Sequence, residues 1–364
     1  MFALDRLTIR RFRGLKDLTL DALGRINLLV GPNNSGKTSI LEAISVFCCP
    51  LDLSAWLQAA YLREVPRAGD PFFGGVEWFF PRRRSTDGLF AGGDLAVSAI
   101  GRFPIREVSA AYKPISRIRV MPAAAGASAD ADLNGRQQAG AHIELKTTWE
   151  GGPPEGSGVA YDFWDDESPR LTSHTELLNQ PVHMLPPHRV ESVQVREYSE
   201  AAQAGLKQQT LFLLKAIDPQ IRDVQILVPK GRLPAIYIEY GTFGLRPLSS
   251  LGDGTRRAFS IAVLVASLSN GVLLIDEIES SLHTSALGSL FSWLVKSCEE
   301  LDVQLFATTH SLEAVDAMIE AESKNLDRIV GYHLEAPSGV PQVQRLDGHM
   351  LHRLRYERGL DVRL

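Results

Sequence analysis

The run Gly31-Pro32-Asn33-Asn34-Ser35-Gly36-Lys37-Thr38 satisfies the pattern G-x-x-x-x-G-K-[ST] in full, and no other feature constrains the fold as tightly. A largely apolar run, Ile26 to Val30 with Asn27 as its one polar residue, precedes it, and apolar residues at helical spacing follow from Thr38 to Phe47. A buried strand, a glycine-rich loop and a helix are therefore expected in that order. Gly31 and Gly36 let the backbone curl so that loop N–H groups and the helix N-terminus face phosphate oxygens. The stretch from Gly31 through Ser39 is thus the candidate ATP-binding loop. Lys37 brings a point charge to the β- and γ-phosphates, and Thr38 offers a hydroxyl to Mg²⁺. A chance glycine-rich turn would not come with both flanking elements.

Two further apolar strands end in chemically active residues. Val272 to Ile275 is apolar throughout and is followed by Asp276 and Glu277. Asp276 is the candidate metal ligand beside Thr38, and Glu277 the candidate base that orients or deprotonates an attacking water. Two acids can also merely punctuate a strand, but a P-loop in the same chain favours chemistry. Leu305 to Ser311, LFATTHS, repeats the pattern. Its His310, at a neighbouring strand end, is suited to sense a γ-phosphate or steady the transition state. Lys37, Glu277 and His310 form the candidate catalytic set.

Leu248 to Arg257, LSSLGDGTRR, precedes a helix and lies about one helix plus one strand ahead of Asp276. Ser250, Gly252 and Gly254 present a hydroxyl and unhindered N–H groups at a helix start, a second phosphate-binding surface. One active site has no room for two such surfaces from the same chain. The economical expectation is that this one closes over the γ-phosphate held by a second subunit, so that ATP joins a homodimer or a higher homo-oligomer. The alternative is a plain glycine-rich helix start.

The set resembles the ABC-type ATPase heads of the RecF, SMC and OLD (overcoming lysogenization defect) class, most closely the bacterial AAA family ATPases related to OLD proteins. The resemblance rests on FRGL at Phe12 to Leu15, GPNNSGKTSILEAI, the IDP segment at Ile217 to Pro219, SLGDGTRR, LLIDEIESSLH and QLFATTHS. It implies an α/β P-loop NTPase fold of ABC-ATPase type: a mixed central sheet with helices, an antiparallel N-terminal β lobe and a helical insertion. It also implies that Ser280 to His283 form a loop crossing a dimer interface, and that Phe12 and Arg13 lie near the adenine or α-phosphate. SLGDG stands where the class has LSGGQ, and no Q-loop glutamine stands out. OLD-like relatives often carry a fused Toprim nuclease. The 54 residues after His310 are too few for one, so the effector, a nuclease among the candidates, is expected on a separate chain.

Three parts are expected: 1–160, an N-terminal ATPase lobe with the P-loop and a β-rich insertion; 161–240, a helical insert region; and 241–364, a C-terminal ATPase lobe. Leu4 to Ile9 and Lys16 to Leu20 read as a hairpin turning at Arg13-Gly14, and Leu51 to Arg119 as part of an antiparallel lobe. Pro122 to Gly140 and Gly151 to Gly158 read as mobile loops, Tyr198 to Ile217 as one helix, and the His183 to Arg189 run either as a feature that resembles one recurring before the helical segment in these ATPases or as a rigid turn. No stretch is long and apolar enough to span a membrane and the N-terminus lacks a signal-peptide core, so a cytoplasmic protein without membrane contact is expected. Cys48, Cys49 and Cys298 read as buried thiols. The net charge of -5 weighs against constitutive nucleic-acid binding. Arg82, Arg83, Arg84, Arg102, Arg106, Arg117 and Arg119 keep nucleic acid among the candidate partners.

The favoured function is an ATP-driven switch controlling a separate effector in anti-phage defence. The alternative is a RecF-like DNA repair or recombination clamp. A transporter subunit is disfavoured by the roughly 240 residues between Lys37 and Asp276.

Overall fold

The computed structural model describes residues 1–62, 74–81, 92–119, 136–164, 178–187, 194–203, 205–231, 233–336 and 341–363. The expected hairpin forms from β1 (Arg6–Phe12) and β2 (Leu15–Leu20), and β3 (Ile26–Val30) leads through the glycine-rich loop into α1 (Lys37–Cys48). After α2 (Leu53–Tyr61) come β4 (Gly93–Ile100), β5 (Ile105–Arg119), β6 (Arg136–Trp149) and β7 (Ser157–Trp164). These strands build a six-stranded antiparallel sheet in the order β2-β1-β4-β5-β6-β7, the N-terminal β lobe.

The second half supplies β8 (Val182–Leu185), α3 (Gln194–Gln203), α4 (Lys207–Ile217), β9 (Ile221–Leu227), β10 (Ala235–Tyr240), β11 (Gly244–Pro247) and α5 (Asp253–Ala266). Next come β12 (Val272–Ile275), α6 (Thr284–Glu300), β13 (Gln304–Thr308), α7 (Leu312–Ala321), β14 (Ile329–Glu335), β15 (Gln342–Asp347) and α8 (Gly348–His352). The central sheet has the order β15-β14-β3-β13-β12-β8. Its strands are parallel except for β15, which pairs antiparallel to β14, so the sheet is mixed as expected. The insertion carries α3 and α4 together with the small sheet β11-β10-β9.

The strands are almost wholly apolar because both faces of the central sheet are covered, and the one polar residue of β3, Asn27, is buried with its amide bonded to Gly24 and to the Leu305 carbonyl. Leu29, Val272, Leu274, Phe306 and Tyr332 face the β lobe, α1 and α2. Their neighbours Leu28, Val30, Leu273, Ile275, Leu305 and Ala307 pack with α5, α6 and α7 on the other side. Each buried aliphatic side chain there contributes about 1.5–3 kcal/mol, which fixes strand ends that must carry chemistry.

Several expectations are corrected. The single helix over Tyr198 to Ile217 is two, α3 and α4, separated around Gly205, whose φ of +80° no helix accommodates. Residues 136–140 of the expected loop belong to β6, paired with 115–119 of β5. The remainder, 122–135, lies outside the described residues, as do Arg82, Arg83 and Arg84. Gly151 to Gly156 is a turn, with Gly151 and Gly156 at positive φ, and β7 begins at Ser157. The His183 run is not simply a turn: Val182 to Leu185 is β8, parallel to β12, and Pro186 and Pro187 end it. Arg102 pairs with Asp302, Arg106 with Glu150, and Arg117 stacks on Trp164 at 4.1 Å. Those three arginines are therefore engaged by other parts of this chain. Cys48 and Cys298 are buried and Cys49 partly so; burial pushes the Cys49 and Cys298 thiols up to about 12.

Candidate nucleotide site

α1 starts at Lys37 with Gly36 as N-cap at φ +98°, and no side chain caps its first turn. The N–H groups at such a helix start are the donors an anion needs. Glycine is required at both ends of the loop. A Cβ at Gly31, φ +137°, would stand 2.2 Å from the Leu334 carbonyl oxygen, and one at Gly36 2.6 Å from Leu15 Cδ2. Lys37 is 5% exposed, and its Nζ donates to the carbonyl oxygens of Gly31 and Pro32, both at 2.8 Å. Burial pushes the Lys37 pKa down, and Asp276, Glu277 and Glu279 oppose that shift.

β3, β13 and β12 are adjacent and parallel, so their carboxyl ends share one edge of the sheet, where open α/β sheets bind ligands. A cavity of about 650 Å³ opens there. Asn33 through Ser39 line one side, Gly14 and Leu15 of the β1–β2 turn another, and Glu277 and His310 the third. Asp276 lies just behind, 7% exposed. Its Oδ1 accepts from Thr38 Oγ1 at 3.2 Å and from Thr308 Oγ1 at 2.5 Å. Thr308 Oγ1 accepts in turn from the Glu277 N–H at 2.8 Å. Glu277 has φ +47°, a left-handed conformation costing a non-glycine residue about 1–3 kcal/mol and typical of functional sites.

Among the described residues no three His, Cys, Asp or Glu side chains gather as a metal-binding group. The Thr38 hydroxyl and Asp276 carboxylate nevertheless fit Mg²⁺, which is commonly held by one or two protein oxygens plus waters and substrate phosphates.

The structure does not bring Phe12 to the cavity. It is fully buried, its ring stacked on Phe79 at 5.0 Å between centroids. The Arg13 guanidinium engages buried Glu42 at 2.6 Å and lies over Phe79. The hairpin reaches the site through Gly14 and Leu15, because Arg13 turns the chain at φ +52°. Ser250, Gly252 and Gly254 stand outside the P-loop cavity. Ser250 is exposed and donates to the Pro247 carbonyl at 2.7 Å. Gly252 is the exposed N-cap of α5, again without a side-chain cap, and a Cβ at Gly254 would lie 3.0 Å from the Ser281 carbonyl oxygen.

Sequence reasoning left one central residue without a role. Arg257 is fully buried near the start of α5 and donates to the backbone carbonyls of Pro186, Asp276 at 2.8 Å and Glu277 at 3.2 Å. It ties α5 to the ends of β8 and β12. Burial pushes its pKa down to about 10, against the pull of Asp276, Glu277 and Glu279, so it remains charged at neutral pH. The signal was legible: α5 is apolar on nearly every side from Ala258 to Ala266, and an arginine leading such a helix must find buried acceptors.

A P-loop, an acidic strand end and a histidine strand end on one mixed sheet, with the glycine-capped helix α5 in the same fold, place the chain in the ABC-type P-loop ATPase class. Within that class its similarities run to RecF over a short segment and, in fold, to SMC heads. Residues 160–316 match a family described as "AAA domain, putative AbiEii toxin, Type IV TA system", and residues 3–55 one described as "AAA ATPase domain". An uncharacterised protein of Methanocaldococcus jannaschii is 45% identical over 74 residues, covering 20% of this chain and 65% of that protein. The DNA replication and repair protein RecF of Azotobacter vinelandii is 36% identical over 107 residues, 29% of this chain and 26% of RecF. The chain thus spans less than two-thirds of the length of either relative. The crystal structure of an SMC head bound to the C-winged helix domain of ScpA superposes with a TM-score of 0.50 and 14% identity, covering 98% of this chain and 99% of that one. That likeness is one of fold. Among the described residues no helix is long and apolar enough to cross a membrane.

Proposed function

We propose that the chain hydrolyses ATP in a site completed by a second copy of itself, and that closing and opening of this pair switches a separate effector. One observation carries the reading: the phosphate-facing groups are divided. Lys37, Thr38, Glu277 and His310 surround one cavity, while Ser250, Gly252 and Gly254 lie outside it at a helix start that no side chain caps. Uncapped N–H groups facing solvent can be satisfied by an anion. Set against the γ-phosphate bound by another protomer, they complete its coordination.

In this reading Lys37 and the N–H groups of the first α1 turn bind the β- and γ-phosphates. Thr38 and Asp276 hold Mg²⁺, which when bound neutralises phosphate charge. Glu277 orients the attacking water and accepts its proton as the new O–P bond forms and the bond to the β-phosphate oxygen breaks, giving ADP and phosphate. His310 donates to the γ-phosphate oxygens as their charge redistributes. The family matched over residues 160–316 is described by a toxin–antitoxin system, which supports an effector-linked role in defence.

Light scattering on Glu277→Gln with ATP and Mg²⁺ tests the composite site. A dimer is expected only with nucleotide, and Gly252→Asp, placed where a side chain meets nothing within 4 Å, should abolish it. A Glu277→Gln protein that stays monomeric in saturating ATP overturns the reading, and one that hydrolyses at the parental rate removes Glu277 from the role of base.

The RecF match favours one competitor, a clamp that grips DNA when ATP closes it. DNA affinity that requires ATP and falls with salt would establish it.

A further inference from the structure

Both backbone polar groups of His310 are held by side chains from elsewhere in the chain. Its N–H donates to Glu279 Oε1 at 2.7 Å, and its carbonyl oxygen accepts from Arg363 Nη1 at 2.6 Å. Glu279 comes from the loop after β12. Arg363 comes from the C-terminal segment, which continues beyond α8 and packs on α7 through Arg355, whose guanidinium makes two bonds to Asp316 at 2.7 and 2.8 Å.

Peptide units are planar, so a residue's position is set by the two planes that flank it. Glu279 fixes the plane on the amino side of His310, and Arg363 the plane on the carboxyl side. With both held, φ and ψ of His310 are fixed, and its Cα–Cβ bond has one direction. The imidazole then stays on the cavity wall beside Glu277 and Lys37. Neither grip is loose. Arg363 is itself braced by Asp361, Nη2 to Oδ2 at 2.7 Å and Nε to Oδ1 at 2.9 Å, and that bridge pulls the Asp361 carboxyl down to about 2. Glu279 is half-buried, its Oε2 enclosed without a hydrogen-bond partner, and its charge also acts on buried Lys37 and Arg257, so the carboxylate that grips the His310 N–H is itself held toward the site.

We infer that Glu279 and Arg363 are positioning residues for His310, and that the Arg363 grip makes turnover depend on the C-terminal segment. The inference rests on the proposed role of His310 in hydrolysis. A ligand or partner that draws residues 353–363 away from α7 frees the His310 carbonyl and slows the reaction without touching the P-loop.

The test is a double-mutant cycle. Glu279→Ala and Arg363→Ala should each lower the maximal ATPase rate about tenfold, the effect of one charge-assisted hydrogen bond, while ATP affinity stays within about twofold. Glu279→Gln keeps an acceptor oxygen and should restore most of the rate. In a His310→Ala background neither alanine substitution should slow the reaction further. Equal losses in both backgrounds, or losses confined to ATP affinity, overturn the inference. A second readout is independent of turnover: the imidazole Cε1–Hε1 resonance of His310, assigned with His310→Ala, should shift or broaden in both alanine variants of the nucleotide-free protein. If the parent hydrolyses no ATP, the hydrolysis reading fails, and the resonance still decides the positioning claim. An unmoved resonance refutes it.

Discussion

Thr308 Oγ1 donates to Asp276 Oδ1 at 2.5 Å while accepting the Glu277 N–H at 2.8 Å, so one hydroxyl at the end of β13 sets both acids at the end of β12. The pairing register explains it: Ile275 lies opposite Ala307, which leaves the next residues of the two strands side by side at the sheet edge. Neighbouring parallel strands here supply not only catalytic candidates but the bonds that orient them.

Thr308→Val should separate orientation from binding. Valine has nearly the shape of threonine but neither gives Asp276 a proton nor takes one from Glu277. A bond to a charged group contributes about 1.5–3 kcal/mol, so the maximal ATPase rate should fall about ten- to hundredfold. ATP affinity should change by less than about threefold. Steady-state kinetics beside direct nucleotide binding checks this, and an equal loss in both would mean that Thr308 supports the pocket rather than the acids.

Lys37→Ala should uncouple binding from folding. The ammonium is nearly buried and its pKa is pushed down by desolvation, so in the nucleotide-free protein it adds little stability. ATP binding should fall at least about a hundredfold, as removal of a charge-assisted phosphate contact predicts. The melting temperature without nucleotide should not drop. A marked drop would show that the Lys37 bonds to Gly31 and Pro32 hold the loop together.

Arg257→Lys should destabilise despite conserving charge. The guanidinium spreads its donors over carbonyls from two separate chain segments, at Pro186 and at Asp276 and Glu277, and one ammonium cannot match that fork. A loss of about 1–3 kcal/mol in denaturant unfolding is expected. Unchanged stability would mean that α5 does not depend on this tie.

The parts legible in the sequence were those with local signals. Ile26 to Val30, apart from Asn27, and Val272 to Ile275 are apolar because both of their faces are covered, and the glycines at 31 and 36 are forced by positive φ with a close approach to the Leu334 backbone and to the Leu15 side chain respectively. Arg13 and Phe12 show the limit: adjacent in the motif, they face buried Glu42 and the Phe79 ring, and their partners lie 29 and 67 residues downstream. No local pattern reveals such pairings. β8 shows no strand signal because four residues followed by two prolines carry too little periodicity, and only the parallel partner β12 makes it one. The two grips on His310 come from loops whose meeting is a product of tertiary packing alone.

Glu322→Gln should raise stability at neutral pH and leave it unchanged in acid. Glu322 is 3% exposed and its Oε1 has no hydrogen-bond partner. Burial pushes its pKa above the ordinary value of 4.5, assisted by Glu299 and opposed by Arg328 and Arg25. Below that ordinary value the carboxyl is protonated in both folded and unfolded chains, and the amide gains nothing. As pH rises through the interval up to the folded-state value, the unfolded chain gives up its proton first, so the folded state binds more protons and loses stability relative to the unfolded one. A neutral amide of the same size escapes that penalty. Thermal unfolding of both proteins at pH 4 and pH 7 should therefore give coincident transitions at the lower pH and a higher midpoint for Glu322→Gln at the higher one; a midpoint that falls at pH 7 would mean that the attraction of Arg328 and Arg25 outweighs burial.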